Sequence, residues 1–278
     1  FDIFDSVEII YVNEVKQILK NLETEKIKGL IISINSPGGS VSATNNLYHL
    51  LDDFKKNNNV KIYFHTNELL ASGGYWAALV SDKIYASYGA LIGSIGVRGP
   101  DWIYYDNPIA ISEGFIGKRI ETKNGIKIFK NIAGESKDLF DPFRMPTEKE
   151  LRDLKKIVNS IYKDFILLVS KKRNIESTTI INDIGAMIFD AKEAKNNFLI
   201  DDVINLDETI DIIIQDLNIK NFQVIEMKNI KFNFIQQATK LNFNNKKLLF
   251  ENKKYEICNI LNESISVLVV QKESMKDC

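Results

Sequence analysis

The stretch Gly29-Leu-Ile-Ile-Ser-Ile-Asn-Ser-Pro-Gly-Gly-Ser40 decides how the rest of the sequence is interpreted. Its first half is a short, continuous apolar run rich in β-branched residues, which predicts a buried strand. Pro37-Gly-Gly39 ends that strand, and Ser40 is a suitable N-cap for a following helix. Two glycines between a strand and a helix leave backbone N–H groups open to close approach, so this turn is a candidate oxyanion site. An ordinary Pro-Gly turn explains the same residues equally well.

Strand and helix patterns alternate on both sides of this turn. Strand–helix–strand alternation with these short lengths is typical of an α/β fold with parallel strand pairing. The predicted strands are 29–34, 60–66, 83–87 and 90–97, and the predicted helices are 15–22, one from residue 41, 72–80, 147–173, 191–197 and 207–216.

The composition changes at the C-terminal end of the chain. After Asn218 the sequence is rich in Lys, Asn, Phe and Ile, with alternating stretches such as Lys231 to Phe234. Alternation of apolar and polar residues is typical of half-buried strands. We therefore expect a main domain at 1–218 and a small β-rich appendage of unknown role at 219–278.

A second candidate for chemistry is Ala71-Ser-Gly-Gly-Tyr75. A serine between a strand and a helix, followed by two glycines, presents its hydroxyl clear of the backbone and lets a substrate approach, as in a nucleophile turn. The spacing is not that of G-x-S-x-G. Ser72 as an ordinary helix N-cap is the alternative, because serine is common at that position.

Charge and cysteine content exclude several classes of protein. The chain has 36 basic and 37 acidic residues, a formal net charge of −1, so a nucleic-acid partner is not expected. Cys258 and Cys278 are the only cysteines, which argues against a disulfide framework and a cysteine-based zinc site. The pairs Asp52-Asp53 and Asp201-Asp202 have no companions at metal-ligand spacing, and we interpret them as solvated. No cofactor or metal is expected.

No stretch approaches the roughly 18–20 apolar residues that span a bilayer. The sequence starts with Phe1 rather than methionine and becomes apolar almost at once. We expect a signal or anchor segment upstream of it, and hence association with a membrane through a segment absent from this chain.

Three strings in this order and spacing resemble signal peptide peptidase A and its SohB-like relatives in the ClpP/crotonase superfamily. They are Asn35-Ser-Pro-Gly-Gly39, Ala71-Ser-Gly-Gly-Tyr75 and Gly93-Ser-Ile-Gly-Val97. The resemblance covers roughly residues 7–217. It implies a superhelix of repeated strand–strand–helix units.

The resemblance also implies roles for individual residues. Ser72 matches the nucleophile, and the N–H of Gly39 matches the oxyanion donor. By analogy with the wider superfamily, Gly73 supplies a second donor. Ser94 falls at the position whose hydroxyl orients the lysine amine. Lys137, in Gly134-Glu-Ser-Lys-Asp-Leu-Phe-Asp-Pro-Phe143, matches the general base.

The stretch between Val97 and Lys137 is longer than is usual for the family, and it leaves other lysines open as the base: Lys118, Lys123, Lys127 and Lys130. A ClpP-type Ser–His–Asp order is unavailable, because no histidine follows His65. His49 and His65, the only histidines, are interpreted as structural.

A lysine acts as a base only when its amine is neutral. The ordinary lysine pKa is about 10.4, and lowering it to about 7–8 requires desolvation. We therefore expect the Lys137 amine to be buried in an apolar pocket, hydrogen-bonded to Ser72 and Ser94. Aromatic residues of the sequence that could wall such a pocket are Tyr75, Trp76 and Phe140.

The resemblance implies a serine endopeptidase that acts on signal-peptide remnants or other extended, apolar peptides, with subunits in a homo-oligomeric ring or dome. Two alternatives stay open. One is a catalytically silent scaffold subunit that keeps the fold. The other is a crotonase-like acyl-CoA enzyme, although those sites usually place carboxylates where this chain has Ser72-Gly-Gly74.

Overall fold

A computed structural model of the chain describes residues 9–22, 27–106, 129–219, 222–227 and 265–272. The chain divides into two units. The first comprises Phe1–Gly96 and Phe165–Cys278, and the second comprises Val97–Asp164.

Helices and strands alternate along the described residues, as predicted. The helices are α1 (Ile9–Lys20), α2 (Val41–Asn58), α3 (Gly73–Ala78), α4 (Glu148–Arg173), α5 (Ser177–Thr179, followed by a π-helical turn at Ile180–Ile184), α6 (Ala191–Asn196) and α7 (Leu206–Leu217). The strands are β1 (Ile27–Ile34), β2 (Lys61–Thr66), β3 (Leu69–Ala71), β4 (Lys83–Ala86), β5 (Leu91–Gly93), β6 (Ile188–Asp190), β7 (Asp202–Val203), β8 (Phe222–Met227) and β9 (Ile265–Lys272). None of the helices described is both long and apolar enough to cross a membrane.

The larger sheet has the strand order β7-β4-β2-β1-β9-β8. The first four of these strands are parallel to one another, which confirms the predicted α/β class. β9 pairs antiparallel with β1, and β8 pairs antiparallel with β9.

The expected separation of 219–278 from the main domain is not seen in the part of it that the structure describes. Strands were expected there, and β8 and β9 are strands. They do not form an appendage, however, because β9 hydrogen-bonds to β1 along nearly its whole length. The backbone groups of β1 thus find a second partner strand, and the boundary expected at residue 218 falls inside one sheet.

The smaller sheet has the order β3-β5-β6, with β3 and β5 parallel. β2 and β4 lie in the larger sheet while β3 and β5 lie in the smaller one, so successive pairs of strands divide between the two sheets. This is the strand–strand–helix repeat predicted for a ClpP/crotonase-like superhelix. β5 is shorter than the predicted 90–97, because Gly93 and Ser94 have φ angles of 127° and 53°, which end the extended backbone.

The core of the first unit lies on both faces of β1. Every residue of β1 except Lys28 is buried, which explains its continuous apolar run. One face packs with α7, where Ile31, Tyr63 and Ile213 share a cluster of buried side chains. At about 25 cal/mol per Å² of apolar surface, each such side chain stabilises the fold by roughly 1.5–3 kcal/mol.

Helix α4 has the N-terminal cap that its sequence indicates, but its apolar face is only partly buried. Thr147 and Glu150 form the capping box that the string Thr147-Glu-Lys-Glu150 predicts, with Thr147 N donating to Glu150 Oε2 at 2.8 Å and Glu150 N donating to Thr147 Oγ1 at 3.2 Å. The apolar residues of α4 recur at helical spacing, a pattern that predicts a single face turned to the core. Val169 is fully buried, whereas Leu151 and Ile157 are 48% and 59% exposed.

His65 on β2 is fully buried, and its Nε2 lies 3.2 Å from the carbonyl oxygen of Ile204. Burial lowers the pKa of His65 from 6.5 to about 4, against the opposing effect of the hydrogen bond to Ile204. This placement within the sheet supports the structural interpretation of His65.

We expect His65 to reduce the free energy of unfolding by about 3 kcal/mol as the pH falls from 6.5 to 4. Above this window the ring is neutral in both states. Within it only the unfolded chain binds the proton, which favours unfolding, and below it both states are protonated. Urea unfolding across this range should show the loss in the parent protein but not in His65→Gln, where only carboxylate contributions remain. Equal pH dependence in both proteins would contradict the prediction.

Candidate active site

The end of β1 is joined to β3 by two backbone hydrogen bonds. Ser36 N donates to Leu69 O at 2.7 Å, and Ala71 N donates to Ser36 O at 2.9 Å. Ser36 therefore extends the smaller sheet for one residue. As a result, the turn Pro37-Gly-Gly39 emerges beside Ser72, the residue that follows β3.

Ser72 occupies a strained strand-to-helix turn. Its φ and ψ are 50° and −121°, a region that residues other than glycine rarely adopt. The side chain is half-buried and makes no capping hydrogen bond to α3, although Ser72 stands at the N-cap position. The ordinary N-cap role therefore does not account for this serine, and the strained turn is the kind that presents a nucleophile.

Glycines allow the turn after β1 to contact Ser72 closely. Gly38 has a φ of 125°, and a Cβ at this position would lie 2.8 Å from Ser72 Cβ and 3.1 Å from Ser72 Oγ. A Cβ on Gly73 would lie 3.2 Å from the backbone nitrogen of Gly39. The structure thus brings Ser72, Gly39 and Gly73 together, with two backbone amides next to the serine.

Thr44 on α2 lies against the same glycines. Its Oγ1 would be 2.4 Å from a Cβ on Gly73, and its side chain is 1% exposed. Among the described residues Thr44 Oγ1 has no hydrogen-bond partner. A buried hydroxyl that lacks a partner costs about 1–3 kcal/mol.

Ser94 belongs to the same unit as Ser72. Ser72 N donates to Gly93 O at 2.9 Å, and Ser94 N donates to Met187 O at 2.7 Å. Ser94 is half-buried and has a left-handed backbone. The backbone of Ser94 is therefore held in place directly after Gly93, whose carbonyl accepts the hydrogen bond from Ser72.

Lys137 lies in the second unit, on a series of tight turns. Its N–H donates to Gly134 O at 3.4 Å, and Ser136 and Phe140 have left-handed φ angles. Lys137 is exposed, so the expected burial of its amine is not seen in this chain. Within the described ranges no carboxylate forms an ion pair with Lys137, unlike Lys130 and Lys149.

Lys130 is held as a cation. Its Nζ lies 2.9 Å from Asp138 Oδ2 and 2.6 Å from Asp141 Oδ2, and these hydrogen bonds raise the pKa of Lys130. A general base requires the opposite change. Arg144 holds Asp138 from another side, at 2.8 Å. The other lysines considered, Lys118, Lys123 and Lys127, lie outside the described residues.

The three aromatic residues considered as pocket walls lie in different surroundings. Tyr75 is fully buried and donates to Leu199 O at 2.8 Å. Trp76 stacks on Phe165 with ring centroids 4.8 Å apart. Phe140 contacts Trp102 in the second unit, at 5.3 Å. Tyr75 and Trp76 therefore fix α3 in the core behind Ser72.

One of the acidic pairs is structural rather than solvated. Asp201 accepts a hydrogen bond from Ile84 N at 2.8 Å and forms ion pairs with Arg173 and Lys83 at 2.9 and 3.2 Å. It thus connects β4 to the end of α4. No cluster of three or more residues suited to a metal occurs in the part of the chain that was searched, which is the described part.

The profile of peptidase family S49 matches residues 54–220, more than half of the chain, and includes Ser72, Ser94 and Lys137. The chain belongs to peptidase family S49. This confirms the resemblance drawn from the three sequence strings.

Curated relatives agree with membership of family S49. "Putative protease MJ0651" of Methanocaldococcus jannaschii is 30% identical over 75% of this chain and 63% of its own length. "Putative signal peptide peptidase SppA" of Enterococcus faecium is 27% identical over 82% of this chain and 62% of its own length. The chain thus spans less than two thirds of these relatives.

Among solved structures, a mutant of ClpP1 from Listeria monocytogenes has 16% sequence identity and a TM-score of 0.45. The match covers 74% of this S49 chain and 91% of the ClpP1 chain.

Sequence reasoning missed the polar side chains that support the site of this S49 member. Asn35 Oδ1 accepts hydrogen bonds from Thr66 Oγ1, Asn67 N and Glu68 N, at 3.0, 3.2 and 2.9 Å. It thereby fixes the turn between β2 and β3. A polar residue directly after a buried strand was the available signal. Thr44 had a comparable signal, a hydroxyl on the core-facing side of α2.

We expect Gly38→Ala to disable the site. The new Cβ would contact Ser72 Cβ at 2.8 Å and must displace the serine or the turn. Gly89→Ala is the matched control, because Gly89 also has a positive φ, 87°, but no atom of the described residues lies within 4 Å of its Cβ position. Gly89→Ala should lose about 1–2 kcal/mol of stability from its backbone conformation alone, and Gly38→Ala should lose more because of the added clash. Only Gly38→Ala should lose labelling by a fluorophosphonate probe, and normal labelling of it would contradict the prediction.

Proposed function

We propose that this chain is a serine endopeptidase in which Ser72 is the nucleophile and Lys137 the general base. The observation that carries the proposal is the backbone of Ser72. It is strained, its side chain makes no capping hydrogen bond, and Gly38 and Gly73 lie directly against it. Strain of this kind persists where the surrounding structure holds it in place, and it is concentrated at functional sites.

The proposed reaction follows the general scheme of acyl transfer. The Lys137 amine takes the proton from Ser72 Oγ as this oxygen attacks the peptide carbonyl carbon. The N–H groups of Gly39 and Gly73 donate to the oxyanion of the tetrahedral intermediate. The protonated amine then gives its proton to the leaving nitrogen as the C–N bond breaks. Water hydrolyses the acyl-enzyme, with Lys137 again as base.

Two observations support Lys137 over Lys130. Lys130 is bound by two carboxylates that keep it protonated. The carboxylate next to Lys137 in the sequence, that of Asp138, forms ion pairs with Lys130 and Arg144 instead. The Lys137 amine is thus left without an ion pair in the described part of the chain. We propose Ser94 as the residue that orients this amine, on the family pattern alone.

The exposure of Lys137 is the observation that favours the alternative, a catalytically silent subunit. A neutral lysine requires desolvation. In our proposal a neighbouring subunit supplies it, since the family pattern implies that subunits complete each other's clefts. Signal-peptide remnants as substrates are part of the same proposal, supported by the name of the Enterococcus faecium relative. Membrane association is also part of it, on the family resemblance alone.

The dyad is tested with three variants of the full chain. Ser72→Ala and Lys137→Ala should each lower peptide hydrolysis at least about 10³-fold, because the two groups act as a unit. Lys130→Ala is the matched control, since it removes a lysine of the same unit that is engaged in ion pairs. It should lower the melting temperature and leave the rate of hydrolysis near that of the parent. Loss of activity in Lys130→Ala with retention in Lys137→Ala would reassign the base.

Assembly is tested separately by multi-angle light scattering. We expect a closed oligomer, because a lysine base exposed in one subunit needs cover from another. The activity per subunit should fall when dilution separates the subunits. A strict monomer with full peptidase activity would contradict the expectation.

A further inference from the structure

Thr44 combines complete burial, an unpartnered hydroxyl and contact with the proposed oxyanion donors. It stands on the core-facing side of α2 with Leu47 and Leu51, where the neighbouring positions are apolar. Its Oγ1 has no partner among the described residues. Valine has nearly the same shape and no polar atom, so packing alone favours valine at this position.

The hydroxyl lies where the two proposed donors meet. The Cβ position of Gly73 is 2.4 Å from Thr44 Oγ1 and 3.2 Å from Gly39 N. Thr44 Oγ1 is therefore next to the Gly73 backbone and close to the Gly39 amide. It is inaccessible to solvent, so a substrate does not reach it directly. Any influence on the reaction passes through these two glycines.

We infer that Thr44 is a positioning residue of the oxyanion site, acting through Gly39 and Gly73; the inference rests on the proposed peptidase function. An unpaired hydroxyl turns freely about its C–O bond. When the Gly39 and Gly73 amides donate to the developing negative charge, the neighbouring Thr44 dipole turns to favour their donating orientation in a medium of low dielectric constant. Its methyl group is buried with the rest of the side chain and contributes to packing. The hydroxyl acts in the transition state and the methyl group acts on the fold.

Two substitutions in the full chain distinguish the effect of the Thr44 hydroxyl from that of its methyl group. Thr44→Val keeps the shape and removes the hydroxyl, and it should lower the saturating rate of fluorophosphonate labelling about three- to tenfold. The probe concentration at half-saturation and the melting temperature should not fall. Thr44→Ser keeps the hydroxyl and removes the methyl group. It should recover at least about half of the parent rate with a lower melting temperature.

Thr209→Val is the matched control, since Thr209 is equally buried but its Oγ1 donates to Asn205 O at 2.8 Å. It should lower the melting temperature and leave labelling unchanged. Full labelling of Thr44→Val, or a loss of melting temperature like that of Thr209→Val, would overturn the inference alone. Absence of labelling in the parent protein, or labelling that persists in Ser72→Ala, would refute the proposed function and the inference with it.

Discussion

Two hydrogen bonds join Ser36 to β3, and the arrangement of the candidate site depends on them. Ser36 donates to Leu69 and accepts from Ala71, so the turn after β1 starts at a fixed distance from the residue after β3. Gly38 then lies against Ser72 so closely that a single added methyl group would not fit. The turn at Ser72 and the turn at Pro37-Gly-Gly39 are therefore held together by backbone hydrogen bonds. The strands that lead into them, β3 and β1, belong to two different repeats of the fold.

Features set by neighbouring residues were predictable from the sequence. The apolar run of β1 and the caps at Ser40 and Thr147 each depend on a few consecutive residues, and the structure has all three. Family-specific strings added what periodicity lacks, since they indicated the resemblance to signal peptide peptidase A that the S49 match confirms. The position of Ser72 between a strand and a helix was likewise evident, because strand and helix patterns meet there.

Features set by distant residues were not predictable. The pairing of β9 with β1 joins segments more than 200 residues apart, and nothing local to either strand specifies the partner. Burial is equally non-local: Leu151 and Ile157 have a helical apolar pattern but remain largely exposed. The positive φ of Ser72 is rare for serine, so residue type alone does not predict it. The exposure of Lys137 follows from its place on a chain of tight turns.

The position of β9 determines how far this protein can be truncated from its C-terminal end. The S49 match ends at residue 220, before β8 and β9 begin. A fragment that stops there would leave β1 with one flank of N–H and C=O groups unpaired, in a long apolar strand. An exposed edge of this kind pairs with strands of other chains and promotes aggregation. The shortest fragment that stays soluble is therefore longer than the family match. It must include β9, which covers the edge of β1, the strand that leads into Ser36.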